Sequence, residues 1–151
     1  MKGMVVYHSR WGNSRQIAEA IANGLDEEGH DVTVLSVSDA KPYPSMDFIV
    51  VGGSTRMARA SGKIKRFAAG VAKCCPGRPF ATFSTGASIS RNPNPQASER
   101  LYEVLSENGM VPLAQPFIAG VKNMKGPLSE GELQRAEAFG QDLGAKLKEK
   151  E

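Results

Sequence analysis

Gly3-Met4-Val5-Val6-Tyr7-His8-Ser9-Arg10-Trp11-Gly12-Asn13-Ser14-Arg15-Gln16-Ile17-Ala18-Glu19-Ala20-Ile21 is the stretch that decides the fold. Met4 to Tyr7 is a short apolar run of buried-strand type. Ile17, Ala18, Ile21 and Leu25 then recur at helical spacing, so the hydrophobic period changes across one loop. That loop is Ser9-Arg10-Trp11-Gly12-Asn13-Ser14. Small and hydroxyl residues between a strand and a helix start bring together unpaired backbone N–H groups, the positive end of the helix dipole and side-chain donors. The combination predicts a phosphate site. No Lys-Ser or Lys-Thr closes a Gly-x-x-x-x-Gly spacing, and no Gly-x-Gly-x-x-Gly follows the strand, so neither a nucleoside triphosphate nor a dinucleotide is favoured. The alternative is a βα turn without a ligand, capped by Asn13 or Ser14.

Outward from this unit, strands and helices alternate. Asp26-Glu27-Glu28-Gly29 reads as the exposed last turn of the first helix, with Gly as its stop. Val32 to Val37 alternates as a strand near a sheet edge, with Val32, Val34 and Leu35 as its inward residues. Pro42 and Pro44 bar regular structure over Ser38 to Ser45, which leaves at most a short second crossover helix. Phe48-Ile49-Val50-Val51 is a fully apolar run of central-strand type that ends in Gly52-Gly53-Ser54-Thr55. Ile64, Phe67, Ala68 and Val71 keep helical spacing from about Ser61, and Cys74-Cys75-Pro76-Gly77 stops that helix. Pro79 to Ser84 is a further strand opening into Thr85-Gly86-Ala87-Ser88. Asn94-Pro95 predicts a helix start, as N-cap and first helical residue, with the helix running to Asn108-Gly109. Phe117 to Val121 is a fifth strand, and Ser129-Glu130-Gly131-Glu132 reads as a capping box opening a last helix through Leu133, Ala136, Phe139, Leu143 and Leu147. This alternation argues for an α/β parallel sheet with helices on both faces.

A chain of 151 residues fits one domain, 1–151, with a substantial core. It enters a strand within three residues, with no basic-then-apolar leader, and no apolar run approaches the roughly 20 residues that span a bilayer. A cytoplasmic protein is expected. The two cysteines, Cys74 and Cys75, are adjacent, which suits a reducing compartment. With two histidines and no Cys/His/acid cluster, no metal site is expected. The net charge of +3 conceals an asymmetry: Phe48 to Ser98 holds eight basic residues and no acidic one. These are Arg56, Arg59, Lys63, Lys65, Arg66, Lys73, Arg78 and Arg91. Eleven basic and 16 acidic residues remain elsewhere.

The first loop resembles the flavodoxin family, whose phosphate loop reads Ser/Thr-x-Thr-Gly-x-Thr. Ser9, Gly12 and Ser14 fall on it in step, and Trp11 stands where the family usually has Thr. The resemblance implies a three-layer flavodoxin-like sandwich on a five-stranded parallel sheet of order 2-1-3-4-5. Response-regulator receivers share that order, but they need acidic residues where this chain has His8-Ser9 and Gly52-Gly53. In such a sheet ligands bind outside the carboxyl ends of the strands at the topological switch point. The resemblance implies FMN there. Ser9, Arg10, Trp11, Gly12, Asn13 and Ser14 would take its phosphate, and Ser54, Thr55, Arg56, Met57, Ser84, Thr85, Gly86 and Ala87 would enclose its ring.

Gly52 to Met57 resembles the family's Gly-x-Ser-Thr-Trp, with Arg56 in place of the ring-stacking aromatic. The third loop, Ser84 to Pro95, lacks the family's usual second tyrosine. A cation beside the ring would stabilise the reduced, anionic flavin, so Arg56 implies a milder reductant than a typical flavodoxin. Arg56 and Arg59 pointing into water is the competing reading. The chain is thus expected to move electrons with FMN, as a carrier or a small flavin-dependent reductase. The alternative is a flavin-free flavodoxin-fold module that docks an acidic partner through its basic half. An acidic redox protein or a small anionic substrate is the expected partner. Nucleic acid is not favoured, since no aromatic platform accompanies the basic stretch.

Overall fold

Strand β1 (Lys2–His8) pairs with β2 (Asp31–Ser36) on one side and with β3 (Phe48–Ser54) on the other, all parallel. The computed structural model describes residues 1–55, 61–87, 96–123 and 125–151. β4 (Pro79–Ala87) continues the sheet from β3. The next position is shared by two segments: β5 (Val111–Pro112) pairs with the start of β4, and β6 (Phe117–Val121) pairs with its end. The order is therefore 2-1-3-4 followed by a fifth position in two pieces, of which β6 is the strand the sequence predicts over Phe117 to Val121. Pro112 and Pro116, which lack the N–H a ladder needs, flank the break.

Helices α1 (Asn13–Glu27) and α4 (Glu132–Glu149) cover one face, α2 (Gly62–Cys74) and α3 (Ala97–Glu107) the other. Strand alternation explains the two cores. Val5, Phe48, Val50 and Phe83 point to the first face, while Met4, Val6, Ile49, Val51 and Phe80 point to the second. Glycines permit two close approaches. A Cβ on Gly24 would overlap the backbone of Glu137, and one on Gly140 would overlap the carbonyl of Ile21, so α1 and α4 cross almost backbone to backbone. A Cβ on Gly52 would strike the Phe83 ring, which accounts for a glycine inside the central strand.

Between β2 and β3 the chain forms turns and no helix, consistent with the two prolines there. α2 starts where the helical spacing does, and Ser61 caps it, its Oγ accepting the Ile64 N–H at 3.3 Å. Three expected caps need correction. α1 is preceded by Gly12 in the left-handed region (φ 89°), with neither Asn13 nor Ser14 as its cap. α3 begins at Ala97, and the Glu99 carboxylate accepts the Gln96 N–H at 3.1 Å; Asn94 and Pro95 lie outside the described residues. α4 follows left-handed Gly131, so Ser129–Glu132 is no capping box. The buried Glu132 carboxylate instead accepts from the Gly120 N–H and the Arg135 guanidinium, each at 2.6 Å, tying α4 to β6.

Candidate functional site: the loops at the carboxyl edge of the sheet

The carboxyl ends of β1, β3 and β4 come together at the switch point between β1 and β3. Their meeting point is a cluster of hydroxyls. Ser14 Oγ lies 3.1 Å from Ser54 Oγ and 3.1 Å from Thr85 Oγ1, so the first turn of α1 is fastened to the ends of β3 and β4. Ser14 and Thr85 are buried. The Ser14 hydroxyl is thus held by two protein partners.

Above this cluster the first loop turns back on itself through one bond, the Gly12 N–H donating to Ser9 Oγ at 2.9 Å. Gly12 makes the turn possible: its positive φ disfavours side chains, and nothing lies within 4 Å of where a Cβ would stand. No side chain caps α1, and its first turn contains no acidic residue. The N–H groups that open a 15-residue helix are therefore left to whatever binds there. Arg10 is exposed, with its guanidinium carbon 4.9 Å from the centroid of the half-buried Trp11 ring, a cation–π pair.

The sequence-predicted residues of the other two loops separate into those that bind one another and those outside the described residues. Thr55 is occupied twice, its N–H donating to the Thr85 carbonyl at 2.8 Å and its Oγ1 accepting the Ala97 N–H at 2.9 Å. It caps α3 from the residue after β3. Ser84 Oγ pairs with Ser98 Oγ at 2.8 Å in the α3 interface. Gly86 gives room to the buried Gln96, whose Oε1 a Cβ would strike. Thr85, Gly86 and Ala87 are the end of β4, three residues beyond the Ser84 end that the sequence predicts. Arg56, Met57, Arg59 and Arg91 lie outside the described residues, as does the rest of the third loop from Ser88 to Pro95.

His8, at the end of β1, is held below the ordinary imidazole value of 6.5, first by burial and second by the positive charge of Lys63. A contributor the sequence reading missed is the loop after β6, brought to α1 by the Asn13 side chain, whose Nδ2 donates to the Lys125 carbonyl at 3.1 Å. The signal for it was available in Lys122-Asn123-Met124-Lys125-Gly126-Pro127, a basic turn following a strand at the ligand-binding edge.

The family model described as "Flavodoxin domain" matches residues 4–124. The chain belongs to the flavodoxin family. It is 36% identical over 69 residues to a flavodoxin of Aquifex aeolicus, a match covering 44% of this chain and 37% of that protein's length. A solved flavodoxin from the domain Archaea shares 27% identity, covers 98% of this chain and 99% of its own, and superposes with a TM-score of 0.81. Rubredoxin oxygen:oxidoreductase of Desulfovibrio gigas shares the fold at 15% identity, with a TM-score of 0.79 over 99% of this chain and 36% of that one. Among the described residues no helix is long and apolar enough to cross a membrane.

Flavodoxins generally bind FMN, and the donor set here fits a flavin phosphate. It consists of backbone amides and the Ser9 hydroxyl, with no carboxylate in the first turn to repel a dianion. The open space at Gly12 leaves the amides approachable.

Proposed function

We propose that this flavodoxin-family chain binds FMN and acts in electron transfer, as a carrier or a small flavin-dependent reductase. The uncapped, acid-free start of α1, seated on the Ser14–Ser54–Thr85 hydroxyl cluster, carries this reading. Bound FMN would supply the electron-accepting and electron-donating group. Ser9, Arg10, Trp11, Gly12, Asn13 and Ser14 are assigned to its phosphate. Ser54, Thr55, Ser84, Thr85, Gly86 and Ala87 are assigned to the walls of the ring site, with Arg56 and Met57 added from the sequence alone. The half-buried Trp11 offers an aromatic surface that Arg10 keeps packed. The hydroxyl cluster holds the three loop origins at fixed separation, which lowers the ordering cost of binding. Protein that is purified yellow, or that quenches added FMN fluorescence one to one, supports this function; colourless protein that leaves FMN fluorescence unchanged rejects it.

A second reading, a flavin-free module for an acidic partner, rests on the outer surface of α2. Lys63, Lys65, Arg66 and Lys73 are exposed there, and the helix contains no acidic residue. The same surface serves the first reading as the dock for an acidic redox protein, because clustered charge steers association. Rates with such a protein are expected to fall steeply as salt rises, since screening acts within about 10 Å at 0.1 M. Salt-independent rates would remove α2 as the dock.

A further inference from the structure

Asn13, the first residue of α1, is buried and attached to the loop that leaves β6. That loop is closed on itself. The Lys122 N–H donates to the Pro127 carbonyl at 2.9 Å, the Gly126 N–H to the Asn123 carbonyl at 3.0 Å, and the Lys125 N–H to Asn123 Oδ1 at 3.1 Å. Contact with α1 is tight: Gly126 has φ 103°, and a Cβ there would come within 2.7 Å of Asn13 Oδ1. A shaped loop is thus pressed on the residue whose backbone opens the candidate phosphate cradle. Its two lysines, Lys122 and Lys125, are exposed, and among the described residues neither has a carboxylate partner within ion-pair distance. No acidic residue lies between Lys122 and Leu128, and the nearest buried acid, Glu132, is committed to Gly120 and Arg135.

We propose that Lys125 is a specificity-determining residue of the flavin site, its ammonium completing the phosphate cradle from the loop after β6. The chain would thereby select a flavin carrying a phosphate dianion over an uncharged one. This rests on the FMN reading above. Asn13 is the positioning residue, because its side chain, on the first residue of α1, holds the Lys125 carbonyl at 3.1 Å. Lysine suits the role: it is a compact charge on a flexible stem, able to meet a phosphate oxygen without the fixed fork geometry of arginine. The cation at an exposed rim adds a salt-sensitive term to the amides of the helix start.

The test compares wild type, Lys125→Met, Lys125→Arg and Asn13→Ala, each titrated with FMN and with riboflavin by flavin fluorescence at low and high salt. Lys125→Met is expected to lose about three- to tenfold in FMN affinity at low salt, with riboflavin affinity unchanged and the difference shrinking at high salt. Lys125→Arg should retain most of the selectivity. Asn13→Ala should lower the FMN-to-riboflavin ratio as well, and adding Lys125→Met to it should then have a smaller effect than in wild type. Circular dichroism confirms that each variant is folded. If wild type binds FMN and Lys125→Met matches it at every salt concentration, or loses both flavins alike, the role of Lys125 is overturned while the FMN reading stands. A wild-type protein that binds neither flavin overturns both.

Discussion

The hydroxyl of Ser14 lies 3.1 Å from that of Thr85, joining the start of α1 to the end of β4 across 71 residues of chain. Ser14→Ala leaves the buried Thr85 hydroxyl without this partner, and a lost buried hydrogen bond costs about 1–3 kcal/mol. Thermal unfolding should report a lower midpoint. With Gly12→Val added, a β-branched residue is forced to a φ of 89°, which distorts the amides of the loop. FMN affinity should fall at least about tenfold in the double variant, each bond to a charged group contributing about 1.5–3 kcal/mol. Undiminished affinity in a folded double variant would refute the assignment of this loop.

Two glycine substitutions should act in opposite directions. Gly24→Ala forces a methyl group against the backbone of Glu137 and Gln141, and overpacking of this kind costs about 1–3 kcal/mol, outweighing the roughly 1 kcal/mol by which alanine favours a helix. Gly70→Ala, inside α2 with nothing within 4 Å of its Cβ position, gains that propensity freely and should stabilise by about 0.4–1 kcal/mol. Urea unfolding of both variants measures the contrast. Equal midpoints would show that α1 and α4 do not cross this closely.

His8 should titrate below 6.5 in an NMR experiment, and Lys63→Met should move it part of the way back, because burial, the larger cause, remains. The folded protein binds this proton less tightly than the unfolded chain does. Protonation therefore favours unfolding: the stability associated with His8 is complete above about pH 6.5 and is lost as pH falls through the depressed folded value. A value unchanged by Lys63→Met would remove the charge contribution.

The two thiols should differ in reactivity. Cys75 is buried, 2.7 Å from Cys74 Sγ and 3.4 Å from the Tyr43 carbonyl, and burial followed by the contact with Cys74 pushes its thiol up to about 11. Little reactive thiolate exists at pH 8. Iodoacetamide on native protein should modify Cys74 first, with Cys75 reacting only after denaturation, as peptide mass spectrometry can establish. Prompt double modification of native protein would contradict the burial of Cys75.

Much of this architecture was legible because the hydrophobic period changes where the backbone does. Met4–Tyr7 against Ile17–Leu25 located β1 and α1, and Pro42 with Pro44 marked a crossover with at most a short helix, where the chain forms none. What escaped depended on distant partners. Glu132 resembles one half of a capping box, yet its carboxylate serves the Gly120 N–H from β6, a contact that no local pattern encodes. Thr55, which the resemblance places beside the ring, also accepts the Ala97 N–H and so caps α3, a contact the local sequence does not encode. The two protein partners of the Ser14 hydroxyl, Ser54 and Thr85, lie 40 and 71 residues away and are likewise invisible to local pattern. Lys125 lies 112 residues from Asn13 in sequence and reaches it only because β6 is parallel to β4 and ends at the same edge of the sheet.

The central claim is that the α1 start holds a flavin phosphate, and phosphorus-31 NMR of FMN added to the purified protein tests it most directly. A phosphate dianion held by amides and a cation should resonate away from its free position and remain dianionic well below its ordinary second pKa of about 6. Bound FMN whose phosphorus signal keeps the position and the pH titration of free FMN would contradict the claim.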